Sequence, residues 1–276
     1  MTNFSVNTNA GALSALRNLN TTNNQLETVQ TQVNTGLEVA STKDNAAIFS
    51  IAQNLRADIS GLNSVSNSLD RAQSTTDVAV AAAEAVSDLL IQMKEKAVAA
   101  ADTGLDSSSR AALDRDFVEL RDQIDSIVNE ASFNGTNAVV SGGQSIIAIT
   151  NDTATRSISV ANQNLSLGGG TVTISASQGI ADAATAGTVV NNLEASISSV
   201  NTALATLGSF SQRVELQQEF VASLTDAVEV GVGNLVDANL AKASAELTAL
   251  QTKQQLGLQA LGIANQAPQT ITSLFG

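Results

Sequence analysis

Residues 48–97 read IFSIAQNLRADISGLNSVSNSLDRAQSTTDVAVAAAEAVSDLLIQMKEKA, and this stretch decides the fold. Counting in sevens from Ile48 gives Leu55, Leu62, Leu69, Thr76, Ala83, Leu90 and Ala97. The companion positions three residues on are Ile51, Asp58, Val65, Ala72, Ala79, Val86 and Met93. A heptad of this kind places one apolar stripe on one side of an α-helix. Asp58 is the charged exception in the seam, there is no Pro, and Gly61 is the only Gly in the stretch. The pattern predicts one helix of about 50 residues, roughly 75 Å long at ~1.5 Å per residue.

Similar stripes flank it. A second helix is expected after a turn at Gly104, capped by Ser108 or Ser109, with Leu113, Phe117, Leu120, Ile124, Ile127 and Ala131 inward. Asn134-Gly135 offers it a left-handed stop. Helix returns near Thr188, with Leu193, Val200, Leu207, Val214, Val221, Val228 and Leu235 at sevens. The pattern weakens at Gly231 and Gly233, and a new register follows: Leu240, Ala243, Leu247, Leu250, Gln254, Gly257, Leu261 and Ala264. Pro268, the sole proline, is expected to end that helix. The N-terminal counterpart carries Leu13, Leu16, Leu19, Leu26, Val29, Val33 and Ala40.

Residues 136–187 differ. They are rich in Gly, Ser, Thr and Asn, and short alternating runs at 145–149, 156–160, 165–167 and 171–175 read as β-hairpins. The expected fold is therefore mostly α: a long antiparallel coiled-coil or bundle rod built from both chain ends, with a small β-hairpin-rich insertion in the middle. The layout is symmetric, with a terminal helix, a long helix, the insertion at 136–187, a long helix and a terminal helix in order, and the simplest packing folds the chain back on itself into a rod of two segments.

Composition narrows the function. The 276 residues include no Cys, His, Trp or Tyr, and the aromatics are seven Phe. Without His or Cys there is no thiol chemistry, no disulfide framework, no His-based catalytic site and no metal cluster built on those ligands. Absence of Cys fits simple avoidance and an extracellular polymer equally well. So few aromatics suit long, thin packing by Leu, Ile, Val and Ala. A net charge of −13 disfavours nucleic acid and anionic membrane as partners. The Gly168–Gly170 run lacks the Gly-Lys-Ser/Thr of a phosphate loop. Arg110–Asp114 and Arg121–Asp125 are spaced for i,i+4 ion pairs on a solvated helix face, which accounts for Asp116 and Asp122 better than a catalytic carboxylate pair. No catalytic, cofactor-binding or metal site is expected.

Charge is unevenly spread. Residues 1–42 carry only Arg17, Glu27 and Glu38, and residues 254–276 carry none. Nearly uncharged ends with greasy stripes are expected to bury themselves. Ordering a backbone costs ~1–2 kcal/mol per residue, and these Thr- and Asn-rich ends hold few large apolar side chains to offset it. The ends are therefore expected to order only when other copies supply further apolar surface. No run approaches ~18 apolar residues. Met1–Asn7 lacks the charged and apolar regions of a cleavable secretory signal, so an exported chain of this kind needs a different machine.

Both ends resemble bacterial flagellin. Asn7-Thr8-Asn9 with Ala12-Leu13 is similar to the family's opening. Asn34-Thr35-Gly36-Leu37 followed by Ser41-Thr42-Lys43-Asp44-Asn45-Ala46-Ala47 is similar to its Ser-Ser-Gly-Leu … Ala-Lys-Asp-Asp-Ala-Ala motif. Ile59-Ser60-Gly61-Leu62, Phe133-Asn134-Gly135 and Ala264-Asn265-Gln266-Ala267-Pro268-Gln269 fit as well. The likeness spans roughly 1–137 and 188–276, with an insertion as small as those of short alphaproteobacterial flagellins.

The resemblance implies a homopolymeric, extracellular filament for swimming. The self-assembly residues would be Leu13, Leu16, Leu19, Leu26, Val29, Val33, Leu240, Leu247, Leu250, Leu261, Asn265, Gln266 and Pro268. The rod core would comprise Ile48, Leu55, Leu62, Leu69, Leu90, Leu113, Phe117, Leu120, Ile124, Leu193, Val200, Leu207 and Val214. By the same resemblance, 1–42 with 239–276 would form a terminal coiled coil, 43–135 with 188–238 a helical rod, and 136–187 the insertion. It also implies unfolded, uncleaved export through a type III apparatus, escort by an export chaperone, addition beneath a cap protein and contact with hook-associated junction proteins, with sibling flagellins as possible co-subunits. No cofactor, metal or nucleic acid is implied. A hook–filament junction protein is the alternative, which the Asn265–Gln269 signature and compact insertion disfavour. A free-standing coiled-coil adhesin is more remote, and the zinc protease carried by some flagellins needs His-Glu-x-x-His, which a chain without His cannot supply.

Three departures stand out. Glu38 replaces the Arg often found after Gly-Leu. Asn234, Asn239 and Ala243 replace the usual Arg, Asp and Glu around Asp237, so lateral polar contacts must differ. The innate-receptor segment of many flagellins, Gln-Arg-x-Arg-Glu-Leu, stands here as Ile91-Gln92-Met93-Lys94-Glu95-Lys96. With Gln92 for the first Arg, weak receptor activation is expected.

Overall fold

The computed structural model describes residues 8–272, with side chains described for 8–266. Five helices and one hairpin follow in the order α1 (Ala10–Thr35), α2 (Thr42–Ala100), α3 (Ser107–Glu130), β1 (Ile146–Ile149), β2 (Ser157–Val160), α4 (Ala183–Val236) and α5 (Leu240–Thr272). The expected helix-dominated order with a small central sheet is what the chain adopts. The contacts divide it into two compact units. One takes the chain up to Ala57 and from Ala227 onward; the other takes Asp58–Asp226. Helices α2 and α4 contribute to both.

The Asp58–Asp226 unit holds the larger core. From Leu62 onward the α2 heptad is buried throughout, at Leu62, Leu69, Thr76, Ala83, Leu90 and Ala97, and at Val65, Ala72, Ala79, Val86 and Met93. Thr76 is tolerated in that seam because its hydroxyl donates to the Ala72 carbonyl at 2.7 Å. Asp58, the charged exception, is exposed at the first residue of this unit. Phe117 and Ile124 from α3, and Leu193, Val200, Leu207 and Val214 from α4, complete the same cluster, with Leu113 and Leu120 half-buried against it. Ile48 and Leu55 lie in the other unit and are only half-buried.

Several boundaries differ from the expectation. The backbone of Asn45 is non-helical (φ −159°, ψ 103°), so the long helix proper begins after it, where Asn45 Oδ1 accepts from the Ala47 and Ile48 amides. The α3 cap is Asp106, not Ser108 or Ser109: its carboxylate accepts from both of their amides, and an ionised carboxylate outcompetes a hydroxyl for those donors. α3 stops at Glu130, before Asn134-Gly135. The Asn137 side chain takes over its end, donating to Val128 O at 2.8 Å and accepting from the Val139 and Val140 amides. Asn134 (φ 49°) and Gly135 (φ 79°) instead make the tight turn in which Phe133 and Thr136 exchange backbone hydrogen bonds. α4 starts at Ala183, earlier than Thr188, because Asp182 caps it.

Of the four alternating runs, two pair: Ile146–Ile149 lies antiparallel to Ser157–Val160, with Ile146 opposite Val160. The other two form only one isolated parallel bridge, Leu167 with Val172. Their apolar side chains (Leu165, Val172, Ile174) are nonetheless fully buried. The backbone of this stretch turns toward α4, where Thr173 N donates to Ser196 Oγ at 3.1 Å, and so does not extend the sheet. The two expected ion pairs are also replaced. Arg110 donates to the carbonyls of Ala100, Asp102 and Leu105, at the end of α2 and in the turn that follows it. Asp114 Oδ1 accepts from Ile180 N at 2.5 Å, and Arg121 pairs with Asp122 and with Gln178 O.

Candidate assembly surface

In the unit that holds both ends, α1 and α5 run antiparallel, their partners falling in reverse order. Asn9 Nδ2 donates to Ala264 O at 2.6 Å and Asn23 Oδ1 accepts from Gln254 Nε2 at 2.8 Å. Gly257 lets Leu19 approach so closely that an added Cβ would lie 3.3 Å from Leu19 Cδ1. The buried seam is Val29, Ala243 and Leu250, with Leu26, Val33 and Leu247 packed against it. Leu19 is also buried.

Beyond the seam, the connections pair with each other. Gly36 takes a left-handed conformation (φ 75°) to end α1, and its carbonyl accepts from Ala238 N at 2.8 Å. Glu38 N and Val39 N both donate to Val236 O, and Leu37 bridges Asp237. Asp44 Oδ2 then gathers the amides of Ala40 and Ser41 and the Ser41 hydroxyl. The Gly36-Leu37 and Ser41–Asn45 motifs are thus a helix stop and a helix start.

What this pairing leaves outside is apolar. Leu13 and Leu16 on α1, and Leu240, Leu256, Leu258 and Ile263 on α5, are exposed, Ile263 at 70%. From Gln254 onward α5 carries no charge, and its exposed polar groups are uncharged amides such as Gln255 and Gln259. Leu261 is half-buried, while Asn265 and Gln266 are exposed. Of the expected assembly residues, the structure therefore joins Leu19, Leu26, Val29, Val33, Leu247 and Leu250, and leaves Leu13, Leu16 and Leu240 facing outward. The side chain of Pro268 and the opening residue Asn7 lie outside the described residues. α5 continues through Pro268 to Thr272, so the proline does not end it; the fixed φ of proline is helical, and its cost is one lost amide donor with crowding of the carbonyl four residues back. Gln254 stands in the expected α5 register, whereas Asn9, Asn23, Leu256, Leu258 and Ile263 were not expected here. For the three on α5 the signal was the lack of charge after Lys253, which marks the outer face as well as the seam.

No helix among the described residues is long and apolar enough to cross a membrane. A thin internal seam with large apolar side chains left outside it is a surface suited to being covered by a further chain.

Residues 6–142 match the bacterial flagellin N-terminal helical region, and residues 190–275 match the C-terminal helical region. The chain belongs to the bacterial flagellin family. It is 45% identical to flagellin FljK of Caulobacter vibrioides over 98% of both chains. To flagellin C of Rhizobium meliloti it is 31% identical, over 98% of this chain and 99% of that one. It also shares its fold with a putative flagellar hook-associated protein from Vibrio parahaemolyticus, at TM-score 0.59 and 14% identity, over 70% of this chain and all of that one.

Proposed function

We propose that this chain is the structural subunit of a flagellar filament, polymerising with copies of itself for swimming. The α1–α5 pair carries this reading, because it encloses one narrow seam and turns Leu13, Leu16, Leu256, Leu258 and Ile263 to the outside. In the filament, 1–42 with 239–276 form the inner coiled-coil layer lining the channel, 43–135 with 188–238 form the rod around it, and 136–187 face outward. The filament is extracellular. The subunit leaves unfolded through the type III apparatus, held at its C-terminal helix by an export chaperone, and adds beneath the cap, with hook-associated proteins at the base and sibling flagellins as possible neighbours. It is not an enzyme, a reading supported by a sequence without His or Cys.

Electron microscopy of the purified chain after salt-induced assembly tests this. Long filaments are expected; short or absent polymers would favour a hook–filament junction role. Weak innate-receptor activation is a further expectation. Gln92 is exposed where many flagellins have Arg, and Lys94 and Lys96 are engaged with Glu194 at 2.8 Å and Asp116 at 3.0 Å. A reporter-cell response equal to that of an enteric flagellin would contradict it.

A further inference from the structure

Toward Asn9, the seam between the chain ends runs out of bulk. One line of seam positions on α5 recurs at sevens as Ala243, Leu250, Gly257 and Ala264. Ala243 and Leu250 are enclosed with Val29. At the last step Gly11 faces Ala264, and an added Cβ there would stand 4.0 Å from the Ala264 Cβ. Small residues allow close approach but do not interdigitate, so shape alone does little to oppose an axial slip here. Polar contacts are the usual means of fixing register in such a pair.

Asn9 makes one such contact with an unusual acceptor. Its Oδ1 accepts from Ala12 N at 3.0 Å and caps α1, while its Nδ2 donates to Ala264 O at 2.6 Å. In an α-helix the donor to carbonyl 264 is the N–H of residue 268. Residue 268 is proline, which has no N–H. α5 runs on to Thr272, so this acceptor is left open inside the helix, not at its frayed end. Pro268 is the only proline in the chain, so every other α5 carbonyl short of the last turn already has its own helical donor. Other α5 carbonyls can still take a second, side-chain donor, as Ser244 O and Thr248 O do, but the Ala264 carbonyl is the one inside the helix whose own helical donor is missing, so the Asn9 amide is favoured at that axial position.

We propose that Asn9 and Pro268 form a register latch: proline releases the Ala264 carbonyl, and Asn9 reads it to set how the two chain ends align. Asn9 is a positioning residue in this role, and its capping of α1 is a separate task of the same amide. The latch stands on the contacts within one chain. Its consequence for polymers rests on the filament reading.

Asn9→Asp separates the two tasks. Aspartate still accepts from Ala12 N, and its charge favours the N-terminus of α1, but it has no proton for the Ala264 carbonyl. Amide hydrogen exchange across α1 is measured in the full-length chain, in whichever state, polymer or soluble, protects α1 in the wild type. A capping role alone predicts unchanged or slower exchange. The latch predicts exchange faster by roughly threefold to tenfold, the net worth of one hydrogen bond. In a Pro268→Ala background residue 268 supplies its own N–H, and Asn9→Asp is then expected to change exchange by less than about twofold. Unchanged or slower exchange in the Asn9→Asp chain, or equal acceleration in both backgrounds, overturns the latch. If the wild type forms no polymer, the filament reading fails; the latch is then judged on the soluble chain, where α1 amides that show no protection in the wild type overturn it as well.

Discussion

Gly143 occupies a place where no side chain fits. A Cβ there would lie 2.4 Å from Asn137 O and 2.9 Å from Val140 O, both backbone atoms of the turn that follows α3. Gly143→Ala is therefore expected to destabilise the Asp58–Asp226 unit by about 1–3 kcal/mol, the usual penalty of overpacking, seen as a lower melting temperature. Gly61 is a closer contest, since alanine in mid-helix gains about 1 kcal/mol over glycine. Its Cβ would meet Asp152 Cβ at 2.9 Å and Cα at 3.3 Å, atoms that cannot swing away without moving the loop. We expect the clash to win, so that Gly61→Ala also lowers the melting temperature; a rise would show that the 151–154 loop yields freely. The oddity of one glycine in a long heptad was legible in the sequence. Its partner, some ninety residues away, was not, because nothing local to either residue encodes that approach.

At the scale of the element, the helices were legible because a heptad is a long, redundant signal. The helix ends were not, because a cap is decided by one side chain competing with its neighbours. Asp106 and Asp182 won two of those contests, and both carboxyls are held below the ordinary carboxylate value of 3.8: Asp106 chiefly by the Ser108 hydroxyl and then Ser109, Asp182 chiefly by the Thr185 hydroxyl. A carboxyl depressed in the folded state contributes stability that is complete above its unfolded pKa and is lost as pH falls through the folded one. Melting of the Asp58–Asp226 unit should thus hold steady through the neutral range and decline on acidification below the ordinary carboxylate range. Asparagine caps nearly as well without titrating. The Asp106→Asn, Asp182→Asn chain should therefore lose less on acidification, as thermal melts across that range would register. An equal loss would place the acid sensitivity elsewhere. The irregular 161–181 segment was the least legible element. Its Leu165, Val172 and Ile174 alternate like strand residues, but their burial is won against α4, which a pairing rule cannot foresee.

Among the described residues, the two units enclose apolar clusters of very unequal depth. The Asp58–Asp226 unit encloses residues from α2, α3, α4 and the central segment in one cluster, whereas the pairing of the two ends encloses Leu19, Val29, Ala243 and Leu250. Burying a Val or Leu contributes ~1.5–3 kcal/mol at most, and a backbone costs ~1–2 kcal/mol per residue to order. On those magnitudes the larger core holds its own elements in place and the seam of the ends does not. Local opening follows that difference, since segments with few enclosed contacts open at low cost. Brief protease treatment of the soluble full-length chain should therefore remove both ends first and leave a resistant fragment close to 58–226. In the assembled polymer, where neighbours cover Leu13, Leu16, Leu256, Leu258 and Ile263, the same treatment should leave the ends intact. Mass spectrometry of the fragments reads both arms. Ends that resist cleavage equally in the two states would mean that the α1–α5 pair is self-sufficient, and its greasy outer face would then need an explanation other than assembly.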